Sequence, residues 1–213
     1  MTERLTRKQR QEHTRTCLLE AAGRVFARRG LTQASVDEVA ADAGFTKGAV
    51  YANFGSKEEL FLVMLDRKFA QRLADLGAVL ETDEPPEAQA RAAGRDFLAQ
   101  ISGDPEWGRL FVEAALHASR HETFRVQLQA SYAQMRASMV ELLRARFESE
   151  GLESAVPIEQ LAMMFFAMAN GVGFERLVER DTVPDDLFAT MLELFTRGLW
   201  SAQLDGVADG DAA

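Results

Sequence analysis

Two S-x-x-E patterns, Ser35 to Glu38 and Ser56 to Glu59, bracket a helix too short to stand alone. Each is a capping box, in which the serine hydroxyl and the glutamate carboxylate satisfy N–H groups left open at a helix start. Between them Gly44 ends one helix, Thr46 caps the next and Gly55 ends that one. The middle helix therefore has only about two turns, with Gly48 inside it. Helices that short are marginal in water, and an internal glycine costs roughly 1 kcal/mol relative to alanine. Such a helix forms only if its neighbours hold it, and its outer face is then available to a partner.

The neighbours are helical too. Leu18, Ala22, Val25 and Phe26 share one face of a helix that Gly30 stops. Val36, Val39, Ala40 and Ala43 repeat that spacing after Ser35. Phe61, Leu65, Phe69, Leu73, Leu76 and Leu80 stripe a long helix that starts beside Ser56. Period-two alternation is scarce, so the chain is expected to be all-α. An acidic stretch with two prolines, ETDEPPEAQ at 81–89, marks a boundary. Five further helices are expected near 87–101, 105–119, 122–150, 158–180 and 185–204, about nine in all. Residues 205–213 read as a frayed, disordered tail. The expected division is a three-helix head at 1–57, with its helix-turn-helix at 35–54, and a helical body at 58–204.

Composition narrows the function. Of 213 residues, 47% are apolar and 27% charged, which is enough for a core. The longest apolar run, LAMMFFAMA at 161–169, falls short of the roughly 20 residues of a membrane span, and the N-terminus has no apolar signal core. A single cysteine, Cys17, forbids an intrachain disulfide and fits a reducing compartment, so a cytoplasmic protein without a membrane partner is expected. Net charge is −9, yet residues 1–57 hold 10 Lys+Arg against 6 Asp+Glu, or +4; the remainder holds 14 against 27, or −13. A basic head on an acidic body suits an anionic partner at the head alone.

Two short helices joined by a glycine turn form a helix-turn-helix, whose second helix enters the DNA major groove. Val50 and Phe54 would anchor that helix on Leu18, Phe26, Val39 and Leu60. Gly48 would let backbone approach the duplex. Lys47 offers charge, Tyr51 a hydroxyl on a rigid arm, and Lys57 an ammonium for the backbone, helped by the dipole of its helix.

The stretch LLEAAGRVFARRGLTQASVDEVAADAGFTKGAVYANFGSKEELF resembles the DNA-binding domain of TetR-family transcriptional regulators, over about 45 residues. The resemblance implies that Thr46, Lys47 and Gly48 open the recognition helix against groove or backbone. It makes Tyr51 the family's tyrosine and Lys57 its phosphate-binding lysine. Asn53 stands where the family often has histidine, and Ala52 where many members are larger. With Ser35 at the start of the motif, these form the expected DNA-binding set: Ser35, Thr46, Lys47, Gly48, Tyr51, Asn53 and Lys57. Arg4, Arg7, Lys8 and Arg10 read either as an arm reaching an adjacent groove or as a disordered tail.

In the body, helices 158–180 and 185–204 are apolar over more than one face, which calls for two packing partners. One is the chain's own core; the other is expected to be a second subunit, as the resemblance also implies. The dimer set is Phe166, Ala169, Gly173, Met191, Phe195 and Leu199. Two heads would then read a near-palindromic operator. Methionines and aromatics suggest an apolar effector pocket drawing on Trp107, Phe111, Met135, Met139, Phe165, Asn170 and Phe174. Glu113, Glu141 and Glu175 hint at a cationic or neutral effector.

His117 and His121 have metal-ligand spacing, but ASRHETF reads as a helix break, so neither a metal nor another cofactor is expected. No G-x-S-x-G, phosphate loop or His/Cys cluster marks an enzyme. The expected function is a ligand-released repressor acting as a homodimer. The alternatives are an activator without small-molecule control and a helical protein–protein interaction module.

Overall fold

The computed structural model describes residues 6–103, 105–151 and 153–210. Among these are nine helices and no strand: α1 (Arg7–Gln33), α2 (Val36–Ala43), α3 (Lys47–Asn53), α4 (Lys57–Leu80), α5 (Pro86–Gly103), α6 (Pro105–Ala118), α7 (Glu122–Ser149), α8 (Ile158–Val178) and α9 (Leu187–Gly210). The chain divides into two compact units. One holds residues 6–69 and 109–131, the other 70–108 and 132–210. The unit around the head is thus larger than residues 1–57, because it takes in parts of α4, α6 and α7.

In the first unit, α1 starts earlier than its apolar stripe suggests. Thr6 and Gln9 form a capping box that draws Arg7, Lys8 and Arg10 into the first turns. These residues are helical rather than an arm, and Arg4 lies outside the described residues. Gly30 breaks α1 as expected, at φ 75°, but a short further turn follows to Gln33. The break takes the Leu31 N–H out of the helical ladder, and the Glu113 carboxylate of α6 accepts it at 2.8 Å. The Arg109 guanidinium donates to the Ala27 carbonyl in the preceding turn. Gly44 closes α2 in the left-handed region, at φ 72°. Leu18, Phe26, Val39, Val50, Phe54 and Leu60 are all buried, as the head's pattern requires. Phe26 meets the edge of Phe61 at 5.1 Å.

The second unit is organised around close packing of α5 on α9. A Cβ on Gly94 would lie 2.6 Å from the Ala189 backbone nitrogen, so only glycine lets the helices approach this far. Ala90, Ala93, Leu98, Ala169, Val172, Phe188 and Leu192 form the buried cluster at this contact. Arg91 of α5 pairs with Glu193 of α9 at its edge. Helix α8 is the one described helix long and apolar enough to cross a membrane, yet Leu161, Ala162, Ala169 and Val172 are buried within the unit. Helix α9 continues past Leu204 to Gly210, where the sequence pattern suggested a frayed tail. No proline intervenes to stop it.

Candidate nucleic-acid interface and ligand cavity

Helix α3, the second helix of the helix-turn-helix, is held from three sides. At its start the Thr46 hydroxyl accepts the Ala49 N–H at 3.2 Å. Below, Val50 and Phe54 are 1% exposed. At its end Arg15 of α1 donates to the Asn53 carbonyl at 2.8 Å and stacks over the Phe54 ring at 4.4 Å. Arg15 is a support that the motif does not reveal, because it lies 38 residues from its acceptor. Helix α2 is fixed in turn by Arg24 and Arg28 on Asp42 and by Arg29 on Glu38.

The seven expected DNA-binding residues divide into two groups. Four cap or brace the helices of the head. Ser35 exchanges hydrogen bonds with Glu38, and Thr46 caps α3. The Asn53 amide donates to the Ala49 carbonyl at 2.8 Å. The Lys57 ammonium donates to the Thr32 and Ala34 carbonyls at 3.2 and 3.1 Å, tying α4 to the α1–α2 turn. Three face outward. Gly48 meets nothing nearer than the Thr46 hydroxyl at 3.7 Å from a would-be Cβ. Tyr51 is 49% exposed. Lys47 is exposed and paired with the Asp37 carboxylate at 2.8 Å; that bond holds its pKa above the usual lysine value. Surface pairs of this kind are weak and exchangeable. A glycine, a lysine and a tyrosine on one open helix face suit close approach to a phosphate backbone and base edges.

The second unit contains a cavity of about 110 Å³ among α4, α5, α7, α8 and α9. Its apolar wall includes Leu76, Met139, Leu161, Phe165 and Leu192, and Gln89, Arg146 and Thr196 are its polar members. Gln89 is 2% exposed. Its amide donates to the Thr82 carbonyl at 2.6 Å, and its oxygen accepts from the Arg146 guanidinium at 2.7 Å. Arg146 also meets Glu150 at 2.5 Å.

Of the expected effector residues, Met139 and Phe165 line this cavity. Met135 does not. Phe111 belongs to the other unit, and Phe174 is 52% exposed. Asn170 hydrogen-bonds Tyr132, whose burial pushes its pKa up to about 12. The Trp107 side chain lies outside the described residues. The expected dimer residues are buried or half-buried within the single chain. Phe195 and Leu199 line the cavity, Phe166 and Ala169 are buried, and Met191 packs on the core cluster. Gly173 has its carbonyl close to Gly108. The exposed large apolar residues described on α8 and α9 are Met163, Met164, Phe174, Leu177, Val178 and Leu194. The helical stripe does not single out one face of α8, because that helix is apolar over most of its circumference.

Among the described residues no group of three His, Cys, Asp or Glu is arranged to hold a metal. The His117 and His121 rings lie 4.1 Å apart, but Glu113 is engaged with Leu31.

The model of the tetR family of bacterial regulatory proteins matches residues 18–64, and that of the BetI-type transcriptional repressor C-terminal domain matches residues 86–201. The transcriptional activator FasR of Mycolicibacterium smegmatis is 36% identical over 103 residues, 48% of this chain and about half (47%) of FasR. The transcriptional repressor SCO4008 of Streptomyces coelicolor is 31% identical over 160 residues, 75% of this chain and 78% of that protein. Two solved structures share the fold. A protein from Mesorhizobium loti described as TetR-family has a TM-score of 0.71 at 19% identity, covering 93% of this chain and 98% of its own. FadR of Bacillus subtilis, solved with stearoyl-CoA, has 0.66 at 14%, covering 85% and 96%.

Proposed function

The chain belongs to the TetR family of transcriptional regulators, and on that premise we propose that it is a homodimeric, cytoplasmic repressor of a near-palindromic operator, released by a small apolar effector. It is not an enzyme on this reading. The observation that carries the DNA reading is the division within α3: Lys47, Gly48 and Tyr51 face outward while the residues around them hold the helix in place. Met163, Phe174, Val178 and Leu194 offer an apolar face to a second copy. Two heads would then meet half-sites about one helical turn, ~34–36 Å, apart. The cavity supports the effector reading. An effector releases DNA only as far as it binds the released form more tightly.

The test is selection of binding sites from sheared genomic DNA of the source organism, with the intact protein and with Tyr51→Ala. Enrichment of a palindrome that the variant loses is the expected result. If protein refolded to strip ligand also enriches no site, the reading fails. Activation instead of repression, as the name of FasR states for that relative, would appear as higher transcription from the selected site when the protein is present.

A further inference from the structure

We propose that the cavity of the second unit takes a small apolar acid, with its carboxylate seated on the Arg146 guanidinium. The inference rests on reading the chain as ligand-responsive and names the class of that ligand.

Among the described residues lining the cavity, Arg146 is the one that is charged. The acidic residues that suggested a cationic or neutral ligand are elsewhere. Glu113 accepts the Leu31 N–H, Glu141 pairs with Arg144 on the surface, and Glu175 is exposed. A cation in this cavity would meet a guanidinium and no carboxylate on the wall. An acid would meet a planar donor fork suited to two parallel hydrogen bonds.

The guanidinium is positioned in advance. Gln89 is buried and its amide is anchored on Thr82, so its oxygen stays turned toward Arg146. The other partner, Glu150, is replaceable. Its side chain is 39% exposed, against 17% for Arg146, so it can turn to water at little cost. A ligand carboxylate arriving from the cavity side would take its place with no change in local charge. The volume, about 110 Å³, is somewhat below the ~150 Å³ of an apolar cavity that takes up benzene. The enclosed part of the ligand is therefore no larger than a single ring.

Three probes with one apolar body and three heads test this: phenylacetate, 2-phenylethanol and 2-phenylethylammonium, titrated calorimetrically into the full chain. The acid should bind about tenfold or more tighter than the alcohol, and the ammonium most weakly. Arg146→Gln should abolish the acid-over-alcohol ratio and leave alcohol binding within about twofold. Glu150→Gln, a change at the exposed rim, should tighten acid binding several-fold and leave the alcohol unchanged; this keeps the test decisive if the Arg146 variant misfolds. Equal binding of acid and ammonium, no binding of any probe, or an unaltered acid preference in both variants would overturn the proposal. Release of the selected operator, followed by fluorescence anisotropy, separates the two readings. Acid that binds without releasing DNA supports the site and defeats ligand-responsiveness. DNA released by the alcohol or ammonium but not by the acid supports ligand-responsiveness and defeats the acid.

Discussion

The recognition helix and the cavity are built on opposite principles. Helix α3 has seven residues, of which only Val50 is buried, and it stands because caps and anchors surround it. The cavity has no local support of this kind; its wall comes from five helices packed on one another. One site faces outward and is made by caps between near neighbours in sequence and by one anchor, Arg15, from 38 residues away. The other faces inward and is made by volume. The two respond oppositely to the same substitution: an added methyl on α3 points into open space, whereas one on α5 meets backbone.

The largest effect tests the support of α3. Val50→Asp puts a carboxylate at a position 1% exposed, in a core whose described neighbours Leu18, Phe26, Val39 and Leu60 are apolar. An uncompensated buried charge costs about 3–5 kcal/mol. The variant should lose the cooperative melting of the first unit and all operator binding. A melting curve identical to the parent would show that α3 is not packed as described.

Next comes the inward-facing glycine. Gly94→Ala forces α5 away from α9, since the new methyl lies 2.6 Å from the Ala189 nitrogen. Overpacking of this kind costs about 1–3 kcal/mol. Thermal unfolding should shift down, and probe binding in the cavity should weaken because α5 and α9 both line it. An unchanged melting temperature would mean that the contact yields more easily than its geometry implies.

What could be read without the structure follows the same divide. Both S-x-x-E boxes, the Thr46 cap and the Gly44 turn lie within three or four residues of what they satisfy, so a linear pattern carries them. The head's core was legible for the same reason, since helical periodicity names Leu18, Phe26, Val39 and Val50 directly. Long-range partners leave no such trace. Arg146 and Gln89 are 57 residues apart, and Glu113 and Leu31 are 82 apart. Nothing near Arg146 marks it as a cavity residue, and nothing near Phe195 says that it lines one. Lys57 is intermediate. Its position was legible, but its bonds to Thr32 and Ala34 were not.

That last point separates two variants that the motif alone would treat alike. Lys57→Ala and Tyr51→Ala should both weaken operator binding. Lys57→Ala should also lower stability by about 1 kcal/mol, because two carbonyls lose a donor. Tyr51→Ala, at a 49% exposed site, should leave the melting temperature unchanged. Lys47→Ala completes the set. If Lys47 exchanges Asp37 for phosphate, the log–log salt slope of binding should fall by about 0.9 per head. An unaltered slope would mean that Lys47 stays on Asp37 in the complex.

The smallest effect on the fold is the most informative about function. Gly48→Ala adds a methyl that meets no atom nearer than 3.7 Å, in a helix where glycine costs up to roughly 1 kcal/mol relative to alanine. The head should therefore become slightly more stable, the reverse of Gly94→Ala. If Gly48 is there only as a tolerated weakness, operator affinity should stay level or improve as α3 becomes better ordered. If it is there to bring backbone against the duplex, affinity should fall about tenfold while the melting temperature rises. A gain in stability paired with a loss of binding is hard to produce by damaging the fold. It would identify the open side of α3 as a surface shaped for a partner, and a rise in both quantities would remove Gly48 from the interface.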